Sequence, residues 1–147
     1  MLKSIQLLIS AVDGAIHAAA GPWLREECAK LHGCQTGQTK ITAGHDLPAK
    51  KILHTVGPMG EDPVLLRSCY ETCLNLSEQH QLRTIAFCCI STGIFGYPLT
   101  RATHIAMDTV RRWLDTGDNR TKVDKIIFVV FLDHEKAVYG MSTLTEQ

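Results

Sequence analysis

The stretch RTIAFCCISTGIFGYP, residues 83–98, decides the fold class because an apolar strand here opens into a pliable loop. Its first half is rich in small and branched apolar side chains, which is typical of a strand covered on both faces. A serine, a threonine, two glycines and a proline follow, with Phe95 between the glycines. Glycine lets the backbone approach a ligand closely, and successive N–H groups in such a loop form a concavity for an anion. The residues alone are equally compatible with a diphosphate cradle and with an ordinary tight strand-to-helix turn.

The segments around this loop predict alternating helices and strands. Residues 61–81 predict a helix that begins at Asp62-Pro63, since proline suits a first helical turn. Residues 99–114 carry apolar side chains at helical spacing, and residues 122–132 form a continuous apolar strand. Upstream, residues 37–42 and 50–57 predict two strands joined by a turn. Helices alternating with buried strands require crossover connections, so the predicted class is α/β, with a sheet covered on both sides.

Composition restricts the possible functions. The 147 residues are 45% hydrophobic, which is enough for one domain with a core. The formal net charge is zero, with 15 basic and 15 acidic side chains, so neither nucleic acid nor a membrane is an expected partner. The six cysteines lack the repeated C-x-x-C pairs of zinc sites, so we expect reduced thiols and no metal. No cofactor is expected, and the cytosol or nucleus is the expected compartment.

Three longer phrases resemble one known family. VDGAIHAAAGPWLREEC (12–28), GCQTGQTKITAGHDLPAKKILHTVGP (33–58) and CISTGIFGYP (89–98) are similar, in order and spacing, to the macro domains of MacroD type. The resemblance implies a three-layer α/β/α fold with a mixed sheet. It also implies binding of ADP-ribose and hydrolysis of mono-ADP-ribose from acidic side chains of proteins, or of O-acetyl-ADP-ribose. The implied partners are therefore ADP-ribose and mono-ADP-ribosylated proteins.

The resemblance also assigns roles to residues. It places the amides of the 91–96 loop on the diphosphate, Phe95 against the distal ribose, Phe131 against the adenine, and Asp13 beside the distal ribose, where it orients the attacking water. The implied ligand-binding set is Val12, Asp13, Gly14, Ser91, Thr92, Gly93, Ile94, Phe95, Gly96 and Phe131. The residues alone leave other roles open, since Asp13 could simply cap a helix and Phe131 could be a core aromatic.

The chain departs from the family pattern at its beginning. Members carry edge strands, an adenine-binding acid, an asparagine and a glycine-rich loop before the phrase that here starts at Val12, whereas only eleven residues precede Val12. We therefore expect residues 1–11 to be an atypical segment and 12–147 a partial macro domain. Exposed sheet edges covered by a partner or by self-association, and impaired hydrolysis, follow from that expectation. A non-catalytic ADP-ribose reader, or an inactive remnant of the fold, is the alternative function.

Residues 1–11 themselves allow two conformations. The apolar segment SIQLLIS (4–10) can form a short strand in the sheet. Alternatively, Leu2, Ile5, Leu8 and Val12 fall at helical spacing, so the segment could extend the following helix backwards through Gly14. Of the two, the helix is favoured here, because it needs no tight turn and an internal glycine costs only about 1 kcal/mol.

Overall fold

A computed structural model describes residues 5–9 and 13–144 of the chain. Its strands are β1 (Ile5–Ile9), β2 (Thr39–Ala43), β3 (Lys51–Thr55), β4 (Thr84–Phe87) and β5 (Lys125–Phe128). Its helices are α1 (Asp13–Ala20), α2 (Pro22–Ala29), α3 (Pro63–Gln79), α4 (Leu99–Leu114) and α5 (Asp133–Leu144), and a short 3-10 helix spans Asn119–Thr121. No helix in these two ranges is long and apolar enough to cross a membrane.

The sheet has the order β2-β3-β1-β4-β5. β2 runs antiparallel to β3, because a short turn joins the two, while the pairs β1–β3, β1–β4 and β4–β5 are parallel. The strands and helices predicted from the sequence are all present, although β5 is shorter than the apolar run 122–132. The mixed sheet and the flanking helices confirm the predicted α/β class.

The favoured helix for the N-terminal segment is wrong, because residues 5–9 form the central strand. Leu7 lies opposite Ile52 of β3 on one side and opposite Ala86 of β4 on the other. A short apolar run does not distinguish a buried strand from a helix by its period alone. Two neighbouring strands offer hydrogen-bond partners to both sides of the backbone, which a helix in this position would leave unused. The flanking Leu2 and Val12 lie outside the described residues.

Two hydrophobic clusters hold the layers together. On one face, Ile16, Ala20 and Leu24 of the first two helices pack on Ile52. On the other face a larger cluster joins α3 and α4 to β3 and β4, with Leu66, Tyr70, Phe87, Ala106 and Trp113 among its buried members. α3 begins where Asp62 accepts a hydrogen bond from the Leu65 amide at 2.9 Å, and this N-cap agrees with the predicted start of the helix at Asp62-Pro63.

β5 is an edge strand of the described sheet. It pairs with β4, and the Val129 amide just beyond it still donates to the Phe87 carbonyl at 2.7 Å. Its apolar side chains Ile126, Ile127 and Phe128 are only partly buried. The Phe128 ring lies between those of Phe87 and Tyr139, with centroid distances of 5.9 and 5.3 Å, so aromatic packing stabilises this edge from one face.

Candidate functional site

The carboxyl ends of the parallel strands open into one cleft. It has a volume of about 620 Å³ and lies between the start of α1, the loop after β4 and the segment after β5. Ligands of open α/β sheets bind at this edge, where loops leave the strands. The lining residues are Gly14, Ala15, Ile16, Cys88, Cys89, Thr92, Gly93, Val129, Phe131, Leu132 and Glu135.

The loop after β4 is a closed turn that begins at a strained residue and ends at a glycine. Ser91 has φ 64° and Gly96 has φ 72°, both in the left-handed region. The Gly96 amide donates to the Gly93 carbonyl at 3.0 Å, and the Tyr97 amide donates to the Ser91 carbonyl at 2.9 Å. A left-handed serine in a buried position is costly and persists only where the surrounding structure imposes it, which favours a functional loop over an ordinary turn.

Four successive amides of this loop are suited to binding an anion. Within residues 5–9 and 13–144, no acceptor pairs with the N–H groups of residues 92–95. Consecutive N–H groups without partners form a site for a phosphate oxygen. The Gly96 amide is used inside the turn, so it is not available to a ligand, although the family resemblance includes it.

The loop after β3 supports this turn from behind. The Gly60 amide donates to the Phe95 carbonyl at 3.0 Å, and Arg101 of α4 pairs with Glu61. Gly57 lies so close to the turn that a Cβ there would come within 2.2 Å of Ser91 Oγ. The 91–96 loop can therefore adopt this geometry only because residue 57 has no side chain.

Ser91 contributes packing rather than an exposed hydroxyl. Its side chain is 3% exposed, and Oγ has no hydrogen-bond partner among the described residues. Thr92 and Phe95 are half-buried, whereas Gly93 is exposed and Ile94 projects fully into solvent. A ligand at this loop would thus contact its backbone rather than its side chains.

The segment after β5 forms the apolar part of the cleft. Phe131 is 88% exposed, which excludes the role of a core aromatic that the sequence left open. Glu135, in the first turn of α5, accepts hydrogen bonds through Oε2 from the amides of Phe131 (2.8 Å) and Leu132 (2.9 Å). Sequence reasoning missed Glu135 as a cleft residue, although an acid early in a helix is a capping signal.

The floor of the cleft carries two thiols and no cation among its described lining residues. Burial, together with the smaller effect of the nearby Glu135 carboxylate, raises the pKa of Cys89 to about 12. Cys89 therefore stays protonated at neutral pH, so it is a poor nucleophile. None of the six cysteines forms a disulfide among the described residues. The described lining therefore offers an anion backbone amides rather than lysine or arginine.

The start of α1 brings the predicted acid to the cleft. Gly14 lines the cleft and α1 begins at Asp13, so the Asp13 backbone lies at the cleft's edge, while Val12 lies outside the described residues. The structure does not describe the Asp13 side chain. His17, one turn further on, lines a separate depression with Arg25. His54 lies near the end of β3 and opposite Ile9 of β1, with Nε2 at 2.8 Å from Thr42 Oγ1.

Comparison with known proteins identifies the family. The Macro domain family matches residues 5–106. ADP-ribose glycohydrolase MACROD2 of Xenopus laevis is 48% identical over 134 residues, which is 87% of this chain and 32% of that protein. A macro domain-containing protein of Chlorobaculum tepidum is 50% identical over 133 residues, covering 87% of this chain and 76% of the relative.

A solved macrodomain structure has the same fold as this chain. The Trypanosoma brucei macrodomain in complex with ADP-ribose superposes with a TM-score of 0.91 at 41% identity, over 97% of this chain and 64% of that one. This chain spans about a third of the length of the Xenopus protein. The sequence match and the fold together lead to one conclusion: the chain belongs to the macro domain family.

Proposed function

We propose that this chain binds ADP-ribose in the cleft and hydrolyses the ester bond between mono-ADP-ribose and acidic side chains of proteins, with O-acetyl-ADP-ribose as a second substrate. The observation that carries this proposal is the run of four amides at residues 92–95 that have no acceptor among the described residues and lie beside an apolar cleft. The names of the relatives, ADP-ribose glycohydrolases, support the same class of reaction.

The ligand is proposed to follow the edge of the sheet. The diphosphate accepts hydrogen bonds from the 92–95 amides, and each bond to a charged oxygen contributes about 1.5–3 kcal/mol. The adenine lies against the exposed ring of Phe131, since a flat apolar side chain stacks on a base. The distal ribose then lies between Phe95 and the start of α1, which brings its anomeric carbon toward Asp13.

Asp13 is the proposed general base. A carboxylate that accepts a hydrogen bond from a water can hold it for attack on the anomeric carbon and take up its proton. The new bond joins the water oxygen to that carbon, and the bond from that carbon to the ester oxygen breaks. The acceptor side chain leaves as a carboxylate, which is stable without protonation, so the reaction requires no separate general acid.

Two measurements test the proposal. Calorimetric titration with ADP-ribose tests binding, and we expect a saturable heat signal. A ligand that lacks the diphosphate should give no such signal. Release of ADP-ribose from a protein modified on glutamate tests hydrolysis, and we expect Asp13→Asn to lower the rate at least about 100-fold, as the loss of a general base does. Asp133→Asn, which removes the same charge at the start of α5 and outside the lining of the cleft, is the matched control and should keep the parental rate. Equal rates for Asp13→Asn and the parent would remove Asp13 from the mechanism.

The second candidate is a reader that binds ADP-ribose without hydrolysing it. The whole chain contains two asparagines, Asn75 and Asn119. Asn75 accepts from the Trp113 indole at 3.1 Å, and Asn119 donates to the Trp113 carbonyl at 2.8 Å, so both are engaged far from the cleft. Neither of these two asparagines lines the cleft. Stoichiometric binding of ADP-ribose without turnover would favour the reader.

A further inference from the structure

Arg25 of α2 differs from the other arginines of the chain because it has no carboxylate partner. The six others each form an ion pair with an aspartate or a glutamate. Among the residues that the structure describes, neither an ion pair nor a hydrogen bond engages the Arg25 guanidinium, and the residue is exposed. A guanidinium carries a permanent charge and five N–H donors. That of Arg25 is therefore available to an anion from outside the chain.

Arg25 lies next to the proposed site of the distal ribose. A depression of about 330 Å³ is lined by Gly14, His17, Ala18 and Arg25. Gly14 also lines the cleft, so this depression begins where α1 starts and extends along that helix to Arg25. An anion bound by Arg25 is therefore within reach of a group that is held at the start of α1.

A second depression shares Arg25 with the first but is less suited to an acid. It is lined by Gly21 and Pro22 instead of Gly14. A Cβ added to Gly21 would lie 2.5 Å from Asp46 Oδ2, so a carboxylate already lies beside this depression. Like charges repel each other, and no acidic side chain is among the described lining residues of the first depression. An acidic group is therefore expected in the depression that Gly14 lines.

The length of this depression fits a polypeptide. Gly14 and Ala18 are four residues apart in α1, which corresponds to about 6 Å along the helix axis. Two residues of an extended polypeptide span about 7 Å, and side chains two positions apart point to the same side. When a modified glutamate holds its ribose at the start of α1, the side chain two residues away thus reaches the guanidinium of Arg25.

We propose that Arg25 recognises the polypeptide of the substrate by binding an acidic side chain two residues from the modified glutamate. The inference rests on the proposed function, because that function places the ester bond at the start of α1. The two sites have separate tasks: the cleft holds the nucleotide, and Arg25 selects among modified proteins by the charge beside the modification. A carboxylate that enters the depression forms charge-assisted hydrogen bonds with the guanidinium.

The experiment compares three ligands on four proteins. The ligands are free ADP-ribose and two synthetic peptides that carry ADP-ribose on a central side chain through a linkage that cannot be hydrolysed. One peptide has glutamate at both positions two residues from the centre, and the other has glutamine there. Calorimetry measures their affinities for the parent, Arg25→Gln, Arg25→Lys and Lys30→Gln. Lys30 is the matched control, since it is exposed at the end of α2 and lines neither depression.

The parent should bind the acidic peptide about 3- to 10-fold more tightly than the neutral one, a range between an exposed ion pair and a charge-assisted hydrogen bond. Arg25→Gln should bind the two peptides with affinities within about 1.5-fold of each other, because the charge is gone. Arg25→Lys should keep part of the preference, since its ammonium retains the charge without the planar donor pair. Lys30→Gln should keep all of it, and 0.5 M salt should reduce it in the parent, because salt screens exposed charges.

Free ADP-ribose, which has no polypeptide, is the reference ligand and should bind all four proteins with the same affinity. A parent without a preference, or an unchanged preference in Arg25→Gln, would overturn the inference and leave the proposed function intact. Weaker binding of free ADP-ribose by a folded Arg25→Gln, with folding verified by thermal melting, would assign the guanidinium to the nucleotide and also overturn it. Absence of ADP-ribose binding by the parent would overturn the proposed function, and this inference with it.

Discussion

Gly57→Ala should impair ligand binding although residue 57 does not line the cleft. An added Cβ would lie 2.2 Å from Ser91 Oγ and 2.7 Å from Ile90 Cγ2, whereas ordinary contacts begin at about 3.4 Å. The loop must therefore retreat by about 1.2 Å, the difference between 3.4 and 2.2 Å. Ile90 is fully buried and Ser91 nearly so, which means that neither side chain can turn away into solvent.

Gly57→Ala should lower both the free energy of unfolding and the affinity for ADP-ribose. Overpacking of this kind destabilises a fold by about 1–3 kcal/mol. A shift of roughly 1 Å lengthens an amide-to-phosphate hydrogen bond beyond its useful range, and one such charge-assisted bond contributes about 1.5–3 kcal/mol. Loss of a single bond thus lowers affinity roughly 10- to 150-fold, since about 1.4 kcal/mol corresponds to a factor of ten.

Calorimetry with ADP-ribose well below the melting temperature measures the affinity, and urea unfolding measures the stability. Gly140→Ala is the matched control, because a Cβ at this helical position meets nothing within 4 Å. It should leave affinity unchanged and stabilise the fold by about 0.5–1 kcal/mol. Gly57→Ala combined with Ser91→Gly should recover part of the affinity, since glycine removes the clashing Oγ and suits φ 64°. A folded Gly57→Ala that binds within threefold of the parent would refute the reasoning.

Three further predictions concern the N-cap residue Asp62 of α3, the exposed ring of Phe131 and the buried thiol of Cys89. Asp62→Ala removes the N-cap of α3 and should cost about 0.5–2 kcal/mol in urea unfolding, whereas Asp62→Asn should retain most of the stability. Phe131→Ala should lower ADP-ribose affinity about tenfold with no change in melting temperature, because its ring is exposed; equal affinity would place the base elsewhere. Burial is the largest cause that raises the pKa of the Cys89 thiol from 9.0 to about 12, so the folded protein holds the thiol proton more tightly than the unfolded chain does. This stabilisation is lost as pH rises from about 9 to 12, and the urea concentration at the unfolding midpoint should therefore be lower at about pH 10.5 than at about pH 8.5. Cys89→Ser should weaken this pH dependence.

Much of the fold follows from local patterns. Each of α3 and α4 buries one apolar stripe, and Asp62-Pro63 marks the start of α3, so helical period and capping chemistry suffice for both. Three of the four residues of β4 are apolar and buried, as expected of a strand covered on both faces, and the glycines after it indicate a loop with unusual backbone angles. The sequence therefore determined the α/β class, the alternation of elements and the position of the loop after β4 that is proposed to bind the diphosphate.

The tertiary structure decided what local patterns leave ambiguous. Residues 5–9 satisfy both a helical and a strand pattern, and only the open hydrogen-bonding sides of β3 and β4 select the strand. The contact between Gly57 and Ser91 joins residues 34 positions apart, and Glu135 enters the cleft only because α5 follows β5 along the sheet edge. Local propensity acts over a few residues, whereas a binding cleft depends on distances between chain segments that are remote in sequence. Packing of the sheet sets those distances, and with them the site.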